Sequence, residues 1–210
     1  MSQQNDTLEL RSIEHTVELR EENGKPKLTG YAARFNEASH VLAGGFREIL
    51  LPGAFSETLA DDQNDVLALY NHDTGALLGR ESAGTLRLHE DEQGLMYSID
   101  PPDTQLGHDT VALVAAGNLK GASFAFRAHP DDEEYHRDGE QAIRTIKRLQ
   151  VFEISIVSSP AYPTSTAAVR QRCADLFAKS EQVAQGDITK ARSSPLAQAQ
   201  HVARWLRREH

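Results

Sequence analysis

The 210-residue chain contains a single cysteine, Cys173, and no long hydrophobic segment. One cysteine excludes an internal disulfide framework and a thiolate metal cluster, and it fits a reducing compartment. A membrane-spanning helix needs roughly 20 consecutive apolar residues, and no such run is present. The first six residues also lack the basic and apolar regions of a secretory signal. We therefore expect no membrane partner.

Basic residues are scarce in the main part of the chain. The net charge is -9, yet from residue 170 onward eight Lys and Arg face four Asp and Glu, so the tail carries +4 and the remainder -13. Because binding to a phosphate backbone needs clustered basic groups, we expect no nucleic-acid partner. The basic tail either contacts an acidic partner surface or forms a solvated helix face.

Short alternating apolar segments separated by turn signals dominate the sequence. This pattern is typical of a β-rich α+β fold, and we predict a small closed or partly open β-barrel with flanking helices. Residues 1–178 would form the domain, and residues 179–210 a polar linker and an amphipathic C-terminal helical tail containing Trp205. The predicted strands are residues 7–20, with a break near Ser12 as an alternative, 28–35, 46–51, 66–70, 77–80, 84–88, 94–99, a strand around Ser123, and 142–157, bent near Lys147; the predicted helices are 52–61, 104–116 and 164–176.

Ser123 lies on a predicted strand that follows the turn at Gly117. Alternation puts Phe124 and Phe126 on one face of this strand and Ser123 with its small neighbours on the other. The aromatic side chains can anchor the strand in a core while the hydroxyl points outward. A nucleophile that a substrate must approach needs this arrangement, although an ordinary strand serine would show the same pattern.

Two further residues stand out for catalysis. His72 ends the apolar strand 66–70, and alternation places it opposite Asp73, which is therefore poorly placed to orient the imidazole ring. Glu153 interrupts the apolar run 151–157, where a partly buried carboxylate is costly unless a donor such as a histidine N–H meets it. A loop histidine and a solvent-facing glutamate are the alternative interpretations.

A serine, a histidine and a carboxylate together are the parts of an activated nucleophile, in which a neutral imidazole removes the hydroxyl proton and the carboxylate orients the imidazole. Their order along the chain differs from those of chymotrypsin, subtilisin and the α/β-hydrolases. Two other hydrolytic chemistries find less support. No HExxH or similar metal motif is present, and Cys173 falls on a polar terminal helix, where a thiol nucleophile is unexpected.

Nine short motifs occur in order along the chain: residues 30–35 (GYAARF), 52–55 (PGAF), 71–73 (NHD), 78–80 (LGR), 84–86 (GTL), 94–95 (GL), 117–126 (GNLKGASFAF), 153–157 (EISIV) and 160–163 (PAYP). Together they resemble the prohead (capsid maturation) serine proteases of tailed phages, which are related in fold to herpesvirus assemblins. The resemblance covers roughly residues 8–170. It implies that Ser123 is the nucleophile, that His72 is the general base, and that Glu153 is the third member, at the place where herpesvirus relatives have a second histidine.

The same resemblance implies a function. A serine endopeptidase of this family, encoded by a phage or prophage, would act in the host cytoplasm inside the assembling procapsid. It would cleave the scaffolding segment of the major capsid protein precursor and also itself, without a metal or organic cofactor. The herpesvirus relatives suggest a homodimer. The alternative is a non-catalytic β-barrel capsid-assembly or scaffolding protein with a degenerate site.

Overall fold

The computed structural model describes residues 8–13 and 17–158. The predicted helix 164–176, the linker and the C-terminal tail, with Cys173 and Trp205, lie outside these residues, as does the division at residue 178. In chain order the described strands are β1 (Glu9–Ile13), β2 (Glu18–Glu22), β3 (Lys25–Arg34), β4 (Phe46–Leu50), β5 (Leu67–Tyr70), β6 (Asp73–Arg80), β7 (Leu86–Glu90), β8 (Gly94–Ile99), β9 (Gly121–Ala128), β10 (Glu133–Asp138), β11 (Gln141–Ile146) and β12 (Leu149–Val157); the helices are α1 (Ser56–Ala60), α2 (Gln105–Ala115) and a short 3-10 turn, Pro130–Asp132.

The strands form three sheets. The central sheet has the order β1-β9-β12-β5-β6, the four-stranded sheet β2-β3-β8-β7, and the three-stranded sheet β10-β11-β4. Most neighbours are antiparallel, but β12 pairs parallel with β5 and β11 pairs parallel with β4. The expected β-rich fold with few helices is confirmed. Within the described residues none of the three sheets closes into a barrel.

The main hydrophobic core lies on one face of the central sheet. Phe124 and Phe126 on β9 are buried there, with ring centroids 5.1 Å apart, and the Phe124 ring meets that of Phe55 edge-on at 6.0 Å. Aromatic pairs of this kind stabilise a fold beyond the area they bury. The predicted division of β9 into two faces therefore matches the structure. Ser123 on the opposite face is also fully buried, so the expectation that its hydroxyl points outward is wrong.

Two segments that were each predicted as a continuous strand form two separate strands in the structure. Residues 142–157 do not form one bent strand, because the chain leaves the three-stranded sheet at Ile146 and enters the central sheet at Leu149. Main-chain hydrogen bonds from Lys147 to the carbonyl of Asp132 and from Leu149 to the carbonyl of Ala54 hold this crossing in place. Residues 7–20 contribute β1 to the central sheet and start β2 in the four-stranded sheet, which agrees with the alternative of a break near Ser12. Alternation alone does not reveal a change of sheet, since both segments keep the same period.

A buried cluster of charges connects the central sheet to the three-stranded sheet. Arg11 and Glu9 on β1 meet Glu48 on β4, Glu133 on β10 and Arg144 on β11, with salt-bridge distances of 2.7 or 2.8 Å. Burial alone would lower the pKa of Arg144, but the surrounding carboxylates raise it well above its ordinary value. Burial opposes ionisation of Glu9 too, yet the two guanidinium groups hold its pKa below the usual value. The cluster thus keeps its charges inside the protein by pairing them.

None of the helices within residues 8–13 and 17–158 combines the length and the hydrophobicity of a membrane-spanning segment.

Candidate active site

His72 lies in a two-residue turn between β5 and β6. Tyr70 pairs with Asp73 across the hairpin, and both turn residues, Asn71 and His72, have positive φ angles of 49° and 62°. Positive φ at both positions is the geometry of a type I′ hairpin turn. It costs non-glycine residues on the order of 1–3 kcal/mol each. The prediction that His72 continues the alternation of its strand is therefore wrong: the strand has already ended.

Hydrogen bonds to the end of β12 hold this strained turn in place. The main-chain N–H of Asn71 donates to the carbonyl oxygen of Ile156 at 3.0 Å, and its side-chain oxygen accepts from the N–H of Ser158 at 3.0 Å. The main-chain N–H of His72 donates to the hydroxyl of Ser155 at 3.0 Å. Backbone strain that is over-determined in this way is common at functional sites.

His72 and Glu153 are in direct contact. The ring nitrogen Nδ1 lies 2.5 Å from Oε1 of Glu153, and the two side chains are only 22% and 11% exposed. Because an ionised carboxylate only accepts hydrogen bonds, we assign the ring proton to Nδ1. The other ring nitrogen, Nε2, is then a bare acceptor, and in the structure it is buried without a hydrogen-bond partner. An imidazole held this way is prepared to take up a proton at Nε2.

A β-bulge in β12 determines where the carboxylate of Glu153 points. The pairing with β9 shifts between Val151 and Glu153, so that Phe152 is the extra residue and Glu153 pairs with Ala125. Bulges re-aim side chains and are frequent beside active sites. The Oε2 atom of Glu153 accepts a second hydrogen bond, 2.5 Å long, from the hydroxyl of Ser155. The buried carboxylate thus meets two donors, one of which is the expected histidine.

Ser123 occupies the strand next to this pair. It is fully buried on β9, and its Cα partners are Ser155 on β12 and Ser12 on β1. Directly paired residues share a face of a sheet, so Ser123 lies on the same face as Ser155 and Glu153. Its hydroxyl, however, donates to the main-chain carbonyl of Arg11 at 2.9 Å, toward β1. The structure therefore brings His72 and Glu153 into contact and places Ser123 one strand away, with its hydroxyl directed elsewhere.

Sequence reasoning missed two contributors to this site: the hydroxyl of Ser155 and the carbonyl of Arg11. Ser155 could have been found, because it lies two residues after Glu153 and so on the same strand face. The carbonyl of Arg11 leaves no such signal, since every residue carries one.

A cavity of about 320 Å³ opens toward the other end of β9 and β12. Its lining includes Arg127, Arg148 and Gln150 together with Asp61, but none of His72, Ser123 and Glu153.

Within residues 8–13 and 17–158, no three His, Cys, Asp or Glu side chains are grouped as ligands of a metal ion.

A histidine whose Nδ1 is held by a carboxylate, in a turn near a strand that carries a serine, is an arrangement suited to nucleophilic hydrolysis. Comparison with known proteins identifies the family of this chain. Residues 8–180 match the family model of the caudovirus prohead serine proteases, and the chain belongs to that family.

Two individual proteins are also similar to this chain. The chain is 33% identical over 135 residues to the prohead protease of Enterobacteria phage HK97, a match that covers 63% of this chain and 54% of the relative. The chain thus matches about half the length of this relative. Among solved structures, it is similar to the bacteriophage T4 capsid assembly protease, with a TM-score of 0.46 and 11% identity over 71% of this chain and 96% of the other.

Proposed function

We propose that this chain is a serine endopeptidase that processes the capsid precursor of a tailed phage, with Ser123 as nucleophile, His72 as general base and Glu153 as the group that orients His72. The observation that carries the proposal is the imidazole of His72, whose Nδ1 is held by a carboxylate while Nε2 is buried and unpartnered. A buried nitrogen without a partner is costly, and a site that binds and cleaves a substrate gives it a use. Membership of the prohead serine protease family supports the same reaction.

The reaction begins with a redirection of the Ser123 hydroxyl. In the resting structure this hydroxyl donates to the carbonyl of Arg11. We infer that a rotation about the Cα–Cβ bond, from β1 toward β12, turns it toward His72. The hydroxyl oxygen then attacks the scissile carbonyl carbon while its proton passes to Nε2 of His72.

The proton taken up by His72 is next given to the amine of the leaving peptide, and the substrate's acyl group remains as an ester on Ser123. A water molecule, deprotonated by the same nitrogen, hydrolyses the ester and restores the hydroxyl. Glu153 stabilises the imidazolium that exists between these transfers and keeps the ring in one tautomer. No step requires a metal or an organic cofactor.

The partners and setting follow from the family and its relatives. We propose that the substrate is the scaffolding segment of the major capsid protein precursor, that the enzyme also cleaves itself, and that it works as a homodimer inside the procapsid in the host cytoplasm. The relative named prohead protease supports this setting. A partly open barrel related to herpesvirus assemblins, a domain of residues 1–178 and a helical tail of residues 179–210 belong to the same proposal.

Co-expression with the capsid precursor of the same phage tests the reaction and the nucleophile together. We expect a shortened capsid band with the wild-type chain and only full-length precursor with Ser123→Ala. The matched control is Ser98→Ala, which replaces a serine on β8 in another sheet. This variant should cleave the precursor as the wild type does.

One observation favours a second function, that of a non-catalytic assembly protein. The hydroxyl of Ser123 is occupied by the carbonyl of Arg11 and does not bond to His72. If the chain only assembles capsids, the precursor stays uncleaved in the presence of the wild type, and Ser123→Ala supports the same yield of particles. Cleavage by Ser123→Ala at the wild-type level would contradict the proposed nucleophile.

A further inference from the structure

Ser155 contacts both parts of the pair formed by His72 and Glu153. Its hydroxyl donates to Oε2 of Glu153 at 2.5 Å and accepts from the main-chain N–H of His72 at 3.0 Å. The residue is fully buried on β12. A hydroxyl has one proton to donate and lone pairs with which to accept, so both bonds form at once. No other described side chain is hydrogen-bonded to the carboxylate of Glu153 and to the backbone of His72 together.

The bond to Glu153 leaves the carboxylate a single orientation. One oxygen faces the hydroxyl of Ser155 and the other faces Nδ1 of His72. Without the hydroxyl, the carboxylate could turn about its terminal bond, where torsional preferences are broad. Hydrogen bonds to a charged acceptor are worth more than neutral ones, so this contact is a strong restraint.

The bond to the main chain of His72 acts at the other end of the pair. His72 has a φ angle of 62°, which a residue with a side chain adopts only when its surroundings impose it. The hydroxyl oxygen of Ser155 stabilises that conformation, because it accepts the main-chain N–H of His72, which points toward β12 while the turn keeps its shape. The hydroxyl of Ser155 therefore restrains both the backbone of His72 and the carboxylate of Glu153 that orients the imidazole.

We propose that Ser155 is a positioning residue for the catalytic pair, holding Glu153 and His72 in the relative orientation that general-base catalysis requires. This inference rests on the proposed function for its kinetic consequence. Its structural part, the fixed contact between Nδ1 of His72 and the carboxylate of Glu153, can be measured without any cleavage. A residue that acts on orientation should change the rate of the chemical step and leave substrate affinity nearly unchanged.

The kinetic test uses the purified full-length chain and purified capsid precursor as substrate. For Ser155→Ala we expect kcat to fall by about 10- to 100-fold with KM within about twofold of the wild type, because only alignment is lost. Ser155→Thr keeps the hydroxyl and should recover most of kcat. Ser12→Ala is the matched control, since Ser12 pairs with Ser123 from the opposite strand, across β9 from the catalytic pair.

The spectroscopic test follows the ring proton of His72 by NMR in the Ser123→Ala background, where no turnover occurs. A proton held between Nδ1 and a carboxylate gives a far-downfield resonance, and His72→Gln identifies it. We expect this resonance to broaden or disappear in Ser155→Ala and to persist in Ser12→Ala. Thermal unfolding confirms that each variant is folded. If the added methyl group prevents Ser155→Thr from folding, the resonance in Ser155→Ala alone tests the positioning role of Ser155.

The outcomes separate the two proposals. An unchanged kcat and an unchanged resonance in Ser155→Ala would overturn the role of Ser155 while the proposed function stands. A wild-type chain that never cleaves the precursor would overturn the proposed function, and loss of the resonance in Ser155→Ala would still establish the positioning contact.

Discussion

Replacing Arg144 by methionine should destabilise the protein far more than replacing an exposed arginine. Arg144 is 1% exposed and donates to Glu9, Glu48 and Glu133. Methionine fills a similar volume but leaves three buried carboxylates with Arg11 as their one remaining cation in the cluster. Removing one partner from a buried ion pair costs about 3–5 kcal/mol, because an uncompensated charge stays inside the protein.

This cost is large against the usual stability of a domain, which is about 5–15 kcal/mol. For a chain of this size, each kcal/mol lowers the melting temperature by about 2–4 °C, so we expect a decrease of roughly 6–20 °C at pH 8. The matched control is Arg148→Met. Arg148 pairs with Asp132 at the surface, and surface pairs contribute at most about 1 kcal/mol.

Acid should reduce the difference between wild type and Arg144→Met. In the wild type the pKa of Glu9 is lowered, so the stability it contributes is present above the carboxyl's unfolded pKa and is lost as the pH falls through the folded value. In the variant the burial of Glu9 is no longer offset by Arg144, so Glu9 takes up a proton more readily in the folded state. Lowering the pH therefore reduces the stability of the variant less than that of the wild type. Thermal melts followed by circular dichroism at pH 8 and pH 4 measure both effects. A melting temperature within 2–3 °C (about 1 kcal/mol) of the wild type at pH 8 would refute the reasoning.

Three further substitutions test the site and the fold. Glu153→Gln keeps the shape but removes the charge that stabilises the imidazolium, so kcat should fall by about 10²–10⁴-fold with the fold intact. Gly94→Ala should prevent stable folding, since its added carbon would overlap the carbonyl oxygen of Ala33 on β3. Thr58→Val should lower the free energy of unfolding by about 1–3 kcal/mol, because the buried hydroxyl of Thr58 donates to the carbonyl of Leu149 and accepts from a second main-chain group of β12.

Each of these substitutions has a control or a contrary result. Gly84→Ala places its new carbon in open space at a φ angle of 68°, so it should cost only about 1–2 kcal/mol. Thr74→Val makes the same change as Thr58→Val, at an exposed position of β6, and should change the free energy of unfolding by less than about 0.5 kcal/mol. Denaturant unfolding measures these values. A Gly94→Ala variant as stable as Gly84→Ala, or cleavage by Glu153→Gln at the wild-type rate, would contradict the reasoning.

Local patterns predicted most of the elements. Alternation along β9 separated Phe124 and Phe126 from Ser123, and the structure has the same division. The cost of placing a charge in an apolar run indicated that Glu153 needs a donor, and the structure supplies His72 and Ser155. Both arguments need only a strand's period and the energetics of burial.

The sequence by itself determined the β-rich fold and the separation of Ser123 from its aromatic neighbours on β9. Only the tertiary structure decided that β11 and β12 join different sheets, that a bulge aims Glu153 at a histidine in a strained turn, and that Ser123 bonds to Arg11 in the resting state. The physical reason is range. Alternation and burial preferences act between neighbours along one strand, whereas register shifts, positive φ angles and hydroxyl directions are set by atoms that distant parts of the chain bring into contact.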